Sequence, residues 1–192
     1  MTRTQRHAVL LDLIRQLREH GSWCGETHIQ KSAYFLQELL GVPLDFNMIF
    51  YKHGPFSFDL NDEVTALRGD LLLDVQCREP YGPSLWPNEN AQRMLGRFPK
   101  TLGTHGPAVR FVAERLGPKK VVDLERLATA LYVLLQMPEA KRDEQAREIH
   151  RLKPHVTHQE ALVALQSIER MRAELKALSL HDSSTAQAAD RG

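Results

Sequence analysis

Residues 51–57, with the sequence YKHGPFS, constrain the local fold more than any other stretch of the chain. Gly54 allows a backbone conformation that residues with side chains disfavour. Pro55 fixes its own φ angle and biases Gly54 away from the right-handed helical region. Ser57 can cap a helix that begins directly after it, and Asp59 is favourable in the first turn of that helix. The motif therefore predicts a tight corner between an extended segment and a helix.

Apolar residues recur at helical spacing on both sides of this motif. They predict helices over residues 4–20, 27–40 and 57–69, the second with Thr27 as its cap. Residues 46–51 are expected to be extended, and a β-ribbon is predicted from residues 71–75 and 84–86. Three helices followed by a ribbon is the order that a winged helix requires. The predicted fold class is therefore mostly α with a small β-wing.

The rest of the chain is predicted to be helical. The periodicity indicates helices over residues 88–98, 105–116, 123–136, 139–152 and 157–178. Residues 179–192 contain little apolar surface to bury, so we expect them to be disordered. The expected organisation is a winged-helix-like unit over residues 1–87, a helical bundle over 88–178 packed on it, and a disordered tail over 179–192.

Four stretches of the chain resemble motifs of a family of small bacterial proteins. Residues 29–38, IQKSAYFLQE, resemble the family's LQKLxYFLQE, and residues 51–57 resemble its YxYGPFS. Residues 127–132, LATALY, and 152–156, LKPHV, resemble its later LATxLY and xKPHx segments. The chain is thus similar to the YwgA-type proteins and to the C-terminal domain of DarG antitoxins. It is more distantly similar to the SocA-type antitoxins, also called the Panacea domain.

This resemblance, which covers residues 8–170, implies a role in toxin–antitoxin or phage-defence biology. The expected partner is a cognate toxin or a defence-system protein. DarG antitoxins also carry a macrodomain hydrolase, which needs a glycine-rich ADP-ribose loop. The present sequence has no such loop, so the resemblance does not imply that activity. The chain differs from the family at Ser32, where an apolar residue is more usual, and at His53, where an aromatic one is.

The candidate partner-binding residues come from the second predicted helix and from the 51–57 motif. The motif is either a structural corner or a recognition surface. On the second helix, Lys31 is either a snorkelling lysine or a residue that faces the partner. Under the recognition hypothesis the partner-binding residues are Lys31, Tyr34, Tyr51, Lys52, His53 and Phe56.

Charge separates two neighbouring stretches of the chain. Residues 45–80 hold three Lys/Arg and seven Asp/Glu, a formal charge of −4. They include the helix before the wing, which would have to enter a DNA groove in a winged-helix DNA reader. Because phosphate contacts dominate DNA affinity, an acidic helix here favours a protein-binding platform.

Residues 93–120 have the opposite charge, with seven Lys/Arg and one Glu, or +6. They are either a solvated helix face or a contact for nucleic acid, for an acidic partner or for a second copy in a homodimer. The alternative function is therefore a DNA-binding winged-helix regulator. Its candidate contacts are Arg93, Arg97, Lys100, Arg110, Arg115, Lys119 and Lys120.

Signatures of catalysis are missing from the sequence. It contains no P-loop, GxSxG, HExxH or GxGxxG motif, so we expect a non-catalytic protein without a cofactor. His150, His155 and His158 are the nearest approach to a metal cluster, but they lack a carboxylate or thiolate partner, so no metal site is predicted. Two cysteines suit a reducing cytoplasm, and no apolar run is long enough to predict a membrane span.

Overall fold

The computed structural model of this protein describes residues 1–78 and 81–189. The helices are α1 (Arg3–Glu19), α2 (Glu26–Glu38), α3 (Phe58–Gly69), α4 (Glu89–Leu95), α5 (Pro99–Leu116), α6 (Val121–Gln136), α7 (Arg142–Leu152) and α8 (His158–Ala189). The strands are β1 (Ile49–Tyr51), β2 (Gly54–Phe56), β3 (Leu73–Arg78) and β4 (Tyr81–Pro87). The protein is mostly α with small antiparallel β elements, which confirms the predicted fold class.

The chain divides into two compact units, Met1–Ala128 and Thr129–Gly192, and the boundary falls within the sequence of α6. The boundary predicted after residue 87 is therefore misplaced. Helices α4 and α5 belong to the first unit because both pack against α1, and α5 is the most extensive neighbour of α1. The sequence showed that α5 has an apolar face but not which helix covers it.

Helix α1 lies at the centre of the first unit. It begins with a capping box, in which the Gln5 amide nitrogen donates to Thr2 Oγ1 at 3.3 Å and the Thr2 amide nitrogen donates to Gln5 Oε1 at 2.9 Å. Leu10, Leu13 and Leu17 are completely buried. Because α2, α4, α5 and β4 all pack against it, α1 is buried over most of its circumference.

The 51–57 motif forms the first of two β-ribbons. Strands β1 and β2 pair antiparallel, with Ile49 opposite Phe56 and Tyr51 opposite Gly54. Gly54 has a φ of 91°, which supports the predicted role of this glycine in a tight turn. The Ser57 hydroxyl accepts a hydrogen bond from the Leu60 amide nitrogen at 3.3 Å, so the predicted cap of α3 is confirmed. Strand β2 was not predicted.

The second ribbon is the predicted wing. Strands β3 and β4 pair antiparallel, with Val75 opposite Leu85 and an irregularity between Gln76 and Arg78. The Leu85 amide nitrogen donates to the Cys24 carbonyl oxygen at 3.2 Å, which fastens this ribbon to the α1–α2 loop. The order of three helices followed by a wing is confirmed, although the first ribbon lies between α2 and α3.

The starts of α2 and α5 differ from the prediction for physical reasons. Helix α2 begins at Glu26 with Gly25 as its N-cap, so Thr27 lies in the first turn and is not the cap. Helix α5 begins at Pro99 and not at residue 105, because proline suits the first turn of a helix. Pro107 lies inside α5, and the residue four positions before it is the exposed Gly103, whose carbonyl water can reach.

The second unit contains α7 and α8, which pack against each other. Between them, the His150 Nδ1 atom donates to the Val156 carbonyl oxygen at 2.7 Å and fixes the turn of the LKPHV segment. Helix α8 continues to Ala189, whereas disorder was predicted over residues 179–192. No Gly or Pro lies within α8 to stop the helix. Residues 190–192 of that prediction lie outside the described residues.

Candidate partner-binding site

Side chains of α2 hold the 51–57 motif in place by hydrogen bonds to its backbone. The Lys31 ammonium donates to the Pro55 carbonyl oxygen at 2.7 Å. The Gln30 amide makes two bonds with Ser57: its Nε2 donates to the Ser57 carbonyl oxygen at 2.9 Å, and its Oε1 accepts from the Ser57 amide nitrogen at 3.0 Å. All three bonds are buried, so the two most specific sequence motifs are structural partners of each other.

Two of the residues predicted to bind a partner are buried in the fold. Lys31 is 1% exposed and Tyr34 is 2% exposed, so the prediction that they face a partner is wrong. The alternative, a snorkelling Lys31, is wrong as well. A buried ammonium must find hydrogen-bond acceptors within the protein, and the Pro55 carbonyl supplies one. The Tyr34 ring meets the Phe35 ring edge-on, at 6.3 Å between centroids.

The first ribbon and the start of α3 carry a cluster of aromatic rings. The rings of Tyr51, Phe56 and Phe58 lie 5.1–5.9 Å apart between centroids and contact one another. Tyr51 is 45% exposed and Phe58 is 54% exposed, and Ile49 beside them is 38% exposed. We call these four residues the aromatic patch. Exposed apolar clusters of this kind, rich in Tyr and Phe, are typical of protein interfaces.

Phe58 and Ile49 were missed by reasoning from the sequence. Phe58 is the first residue of α3 and lies off the buried face, which is marked by Leu60 and Leu67. An aromatic residue off the apolar stripe of a helix was the available signal. Ile49 and Tyr51 are two positions apart in β1 and therefore point to the same face of the ribbon.

The turn of the first ribbon carries two charged or titratable predicted residues. The Lys52 ammonium lies 6.0 Å from the centroid of the Tyr51 ring. His53 Nδ1 lies 3.0 Å from Glu125 Oε1 of α6, with the His53 side chain 70% exposed and the Glu125 side chain 15% exposed. His53 thus links the ribbon to α6 at the surface. Together with Lys31, Tyr51 and Phe56, it lines a cleft of about 220 Å³.

The acidic helix α3 keeps part of its charge at the surface. Asp59 and Asp62 are exposed. Glu63 instead faces α1, with its Oε2 atom 2.5 Å from His7 Nε2 and 2.9 Å from Arg3 Nε. Partial burial acts to raise the pKa of Glu63, but the bonds from His7 and Arg3 outweigh it and hold that pKa below its usual value. Glu63 therefore attaches α3 to α1.

The predicted basic residues are distributed along α4, α5 and the turn after α5. Most are exposed, but Arg115 lies 3.5 Å above the Phe111 ring centroid and donates to the Phe111 carbonyl oxygen at 3.2 Å. The exposed members are Arg93, Arg97, Lys100, Arg110 and Lys120, and Lys119 is half-buried. Helix α5 alone is about 27 Å long, so these residues are spread over the surface and do not form a compact cluster.

The Cys24 thiol is completely buried, and a sulfur–oxygen contact of 3.8 Å joins it to the Ile14 carbonyl. Burial raises the pKa of this thiol to about 12, against the opposing effect of the Arg18 charge. The thiol is therefore protonated at neutral pH, as befits a packing residue and not a nucleophile.

Among the described residues, no three His, Cys, Asp or Glu side chains come together as a metal-binding group. Within the same residues, no helix combines the length and the apolar character needed to cross a membrane.

Comparison with known protein families and with curated proteins was made for the whole chain. No family model matches it, and no curated protein is significantly similar to it.

Proposed function

We propose that this protein is a non-catalytic, antitoxin-like or defence-associated protein of the cytoplasm that binds and regulates a partner protein. The observation that carries this proposal is the aromatic patch. Ile49, Tyr51 and Phe58 are exposed, and the rings of Tyr51, Phe56 and Phe58 contact one another. The ribbon that carries the first part of the patch is held by buried hydrogen bonds from α2. A rigid aromatic cluster loses little conformational entropy when it binds, and such residues are enriched among binding hot spots.

The charges beside the patch favour a protein as the ligand. The exposed carboxylates Asp59 and Asp62 follow Phe58 on α3, and Lys52 lies beside Tyr51. A mixed-charge rim around an apolar centre is the usual arrangement of protein–protein interfaces. Nucleic acid would be repelled by the two aspartates. The resemblance of residues 29–38 and 51–57 to antitoxin motifs supports a toxin or defence-system protein as the partner.

The test is co-purification with the product of the neighbouring gene, followed by calorimetric titration. Phe58→Ala and the double variant Tyr51→Ala with Lys52→Glu are each expected to weaken the complex by about 2 kcal/mol or more, roughly 30-fold in Kd. Val163→Ala, which removes an exposed valine from α8, is the matched control and should leave Kd unchanged. Equal affinities for the wild type and the patch variants would exclude the aromatic patch from the interface.

A DNA-binding regulator is the second candidate function, and the exposed basic residues of α4, α5 and the turn between them favour it. Arg93, Arg97, Lys100 and Arg110 lie exposed on α4, α5 and the turn between them. Binding through these residues should appear as a mobility shift of duplex DNA at low salt that disappears as salt is raised. It should be abolished by Lys100→Glu with Arg110→Glu. If no shift appears at low salt, this function is excluded.

A further inference from the structure

We propose that the first unit also carries a groove that binds an extended, acidic segment of the partner protein. This proposal rests on the proposed function. The groove consists of three adjoining clefts, of about 110, 220 and 740 Å³, and Glu26 at the start of α2 lines all three. We call it the Glu26 groove. It starts under Tyr51 and Phe56, passes the first turn of α2, and ends between Trp23 and Val122.

The clefts of the Glu26 groove are connected by shared walls. Thr27 lines both the 220 Å³ and the 740 Å³ clefts, Gln30 lines both the 110 Å³ and the 220 Å³ clefts, and Pro83 lines both the 110 Å³ and the 740 Å³ clefts. Side chains of an extended peptide project alternately to opposite sides, so neighbouring clefts of one groove can receive every second side chain of one segment. The two smaller clefts suit single side chains.

The largest cleft offers an apolar surface that the protein itself leaves exposed. Val121 is 43% exposed and Val122 is 57% exposed, at the start of α6. The opposite wall is held in place because Trp23 Nε1 donates to the Gly82 carbonyl oxygen at 2.9 Å. A bulky apolar side chain of the partner segment would cover both valines and remove them from water, which favours binding.

The charges of the groove select an acidic segment. Lys119 and Lys120 line the largest cleft, and Arg68 lines the smallest. Among the described residues that line the three clefts, Glu26 is the one carboxylate. The buried His28 Nε2 donates to the Lys119 carbonyl oxygen at 3.0 Å, so the turn that carries both lysines is fixed before a ligand arrives. Complementary charge of this kind sets specificity and speeds association.

The probe for this groove is a phage-displayed library of random 12-residue peptides, selected on the full-length protein. We expect the enriched peptides to combine Asp or Glu with two bulky apolar residues. The affinity of one synthetic, fluorescently labelled member is then measured by anisotropy. Val122→Asp, and separately Lys119→Glu with Lys120→Glu, should each reduce that affinity at least tenfold.

Val163→Asp, an equally exposed valine on α8, is the matched control and should leave peptide affinity unchanged. Thermal melting of each variant establishes that it is folded. The groove hypothesis is overturned if no peptide is enriched, if the enriched peptides are basic, or if Val122→Asp binds them as tightly as the wild type.

The groove hypothesis and the aromatic-patch hypothesis can be tested separately. Phe58→Ala lies outside the three clefts and should leave peptide affinity unchanged while weakening the complex with the partner protein. Loss of the partner complex in Phe58→Ala but not in Val122→Asp would retain the proposed function and reject the groove. If the selected peptides bind at the groove but neither variant weakens the partner complex, the proposed function fails.

Discussion

The two β-ribbons of the first unit have the same construction and present different surfaces. Each is a two-stranded antiparallel pair, β1 with β2 and β3 with β4. An isolated ribbon of this size is at best marginally stable in water, so each depends on neighbouring helices. The first is held by the buried Lys31 and Gln30 of α2. The second is held by the half-buried Arg18 of α1.

In the second ribbon the anchoring residue covers the exposed aromatic ring. The Arg18 guanidinium lies 3.1 Å from the centroid of the Trp86 ring and donates to the Trp23 carbonyl oxygen at 3.1 Å and to the Ser84 hydroxyl. Trp86 is 42% exposed, yet one face of its ring is already occupied. In the first ribbon the aromatic rings contact one another, and Tyr51 and Phe56 also line a cleft with Lys31 and Gln30 of α2.

This difference shows that a similar exposed fraction can belong to two kinds of aromatic residue. Trp86 uses its exposed ring to hold its own ribbon, whereas Tyr51 and Phe58 are not needed for that purpose because α2 already holds theirs. Whether the anchor stacks on the aromatic ring or binds the backbone of the ribbon decides which aromatic surface is left for a partner.

The largest stability effect is expected where the anchor is buried. Lys31→Met removes the ammonium that binds the Pro55 carbonyl and leaves that buried oxygen without this donor, so the free energy of unfolding should fall by about 2–3 kcal/mol. Urea denaturation monitored by circular dichroism measures it. Lys120→Met, at an exposed lysine, is the control and should stay within about 0.5 kcal/mol of the wild type. Equal destabilisation by the two variants would remove the contrast between the ribbons.

A smaller loss is expected where the anchor is only half-buried. Arg18→Ala removes the stacking on Trp86 and the bond to the Trp23 carbonyl, which should cost about 1–2 kcal/mol. The fluorescence of Trp86 should also change, because one face of its ring becomes exposed to water. Arg110→Ala, at an exposed arginine of α5, serves as the control. An unfolding curve that coincides with that of the control would mean that Arg18 does not anchor the second ribbon.

Helix α3 joins the two ribbons, and its own attachment to α1 should depend on pH. Because the pKa of Glu63 is lowered in the folded protein, the ionised carboxylate stabilises the fold above pH 4.5, and this contribution is lost as the pH falls through the folded-state value. Glu63→Gln should cost about 1 kcal/mol at pH 7, and the difference should shrink below pH 4.5.

Unfolding of both proteins by urea between pH 3 and pH 7 measures this difference. Glu114→Gln, at an exposed carboxylate of α5, is the matched control. A difference between wild type and Glu63→Gln that does not change with pH would show that the charge of Glu63 is not what attaches α3.

The smallest stability effect is expected at the aromatic patch. Phe58→Ala removes a ring that is 54% exposed, so stability should change by less than about 0.5 kcal/mol. Thermal melting of Phe58→Ala and Lys31→Met in the same experiment compares the stability contribution of the aromatic patch with that of the buried anchor. A loss as large as that of Lys31→Met would assign Phe58 to the fold and withdraw it from the binding surface.

Much of the fold followed from the sequence because its signals are local. The Ser57 cap, the turn at Gly54 and the wing strands β3 and β4 were each predicted from neighbouring residues. The domain boundary after residue 87 failed because packing of α5 on α1 joins segments far apart in the chain. At the site, Tyr51, Lys52 and His53 are exposed as the recognition hypothesis needs, whereas Lys31 and Tyr34 are buried.

The sequence by itself determined the chemistry of the 51–57 motif: a glycine with positive φ, a proline that continues the turn and a serine that caps α3. Only the tertiary structure decided which side of that motif is free. The sequence pattern of an amphipathic helix is the same whether the ammonium of its lysine reaches water or a buried carbonyl. Helical spacing determines the face on which a side chain lies, but not which element packs against that face. The packing of α2 against the first ribbon decided that Lys31 holds the motif and that Tyr51 stays exposed.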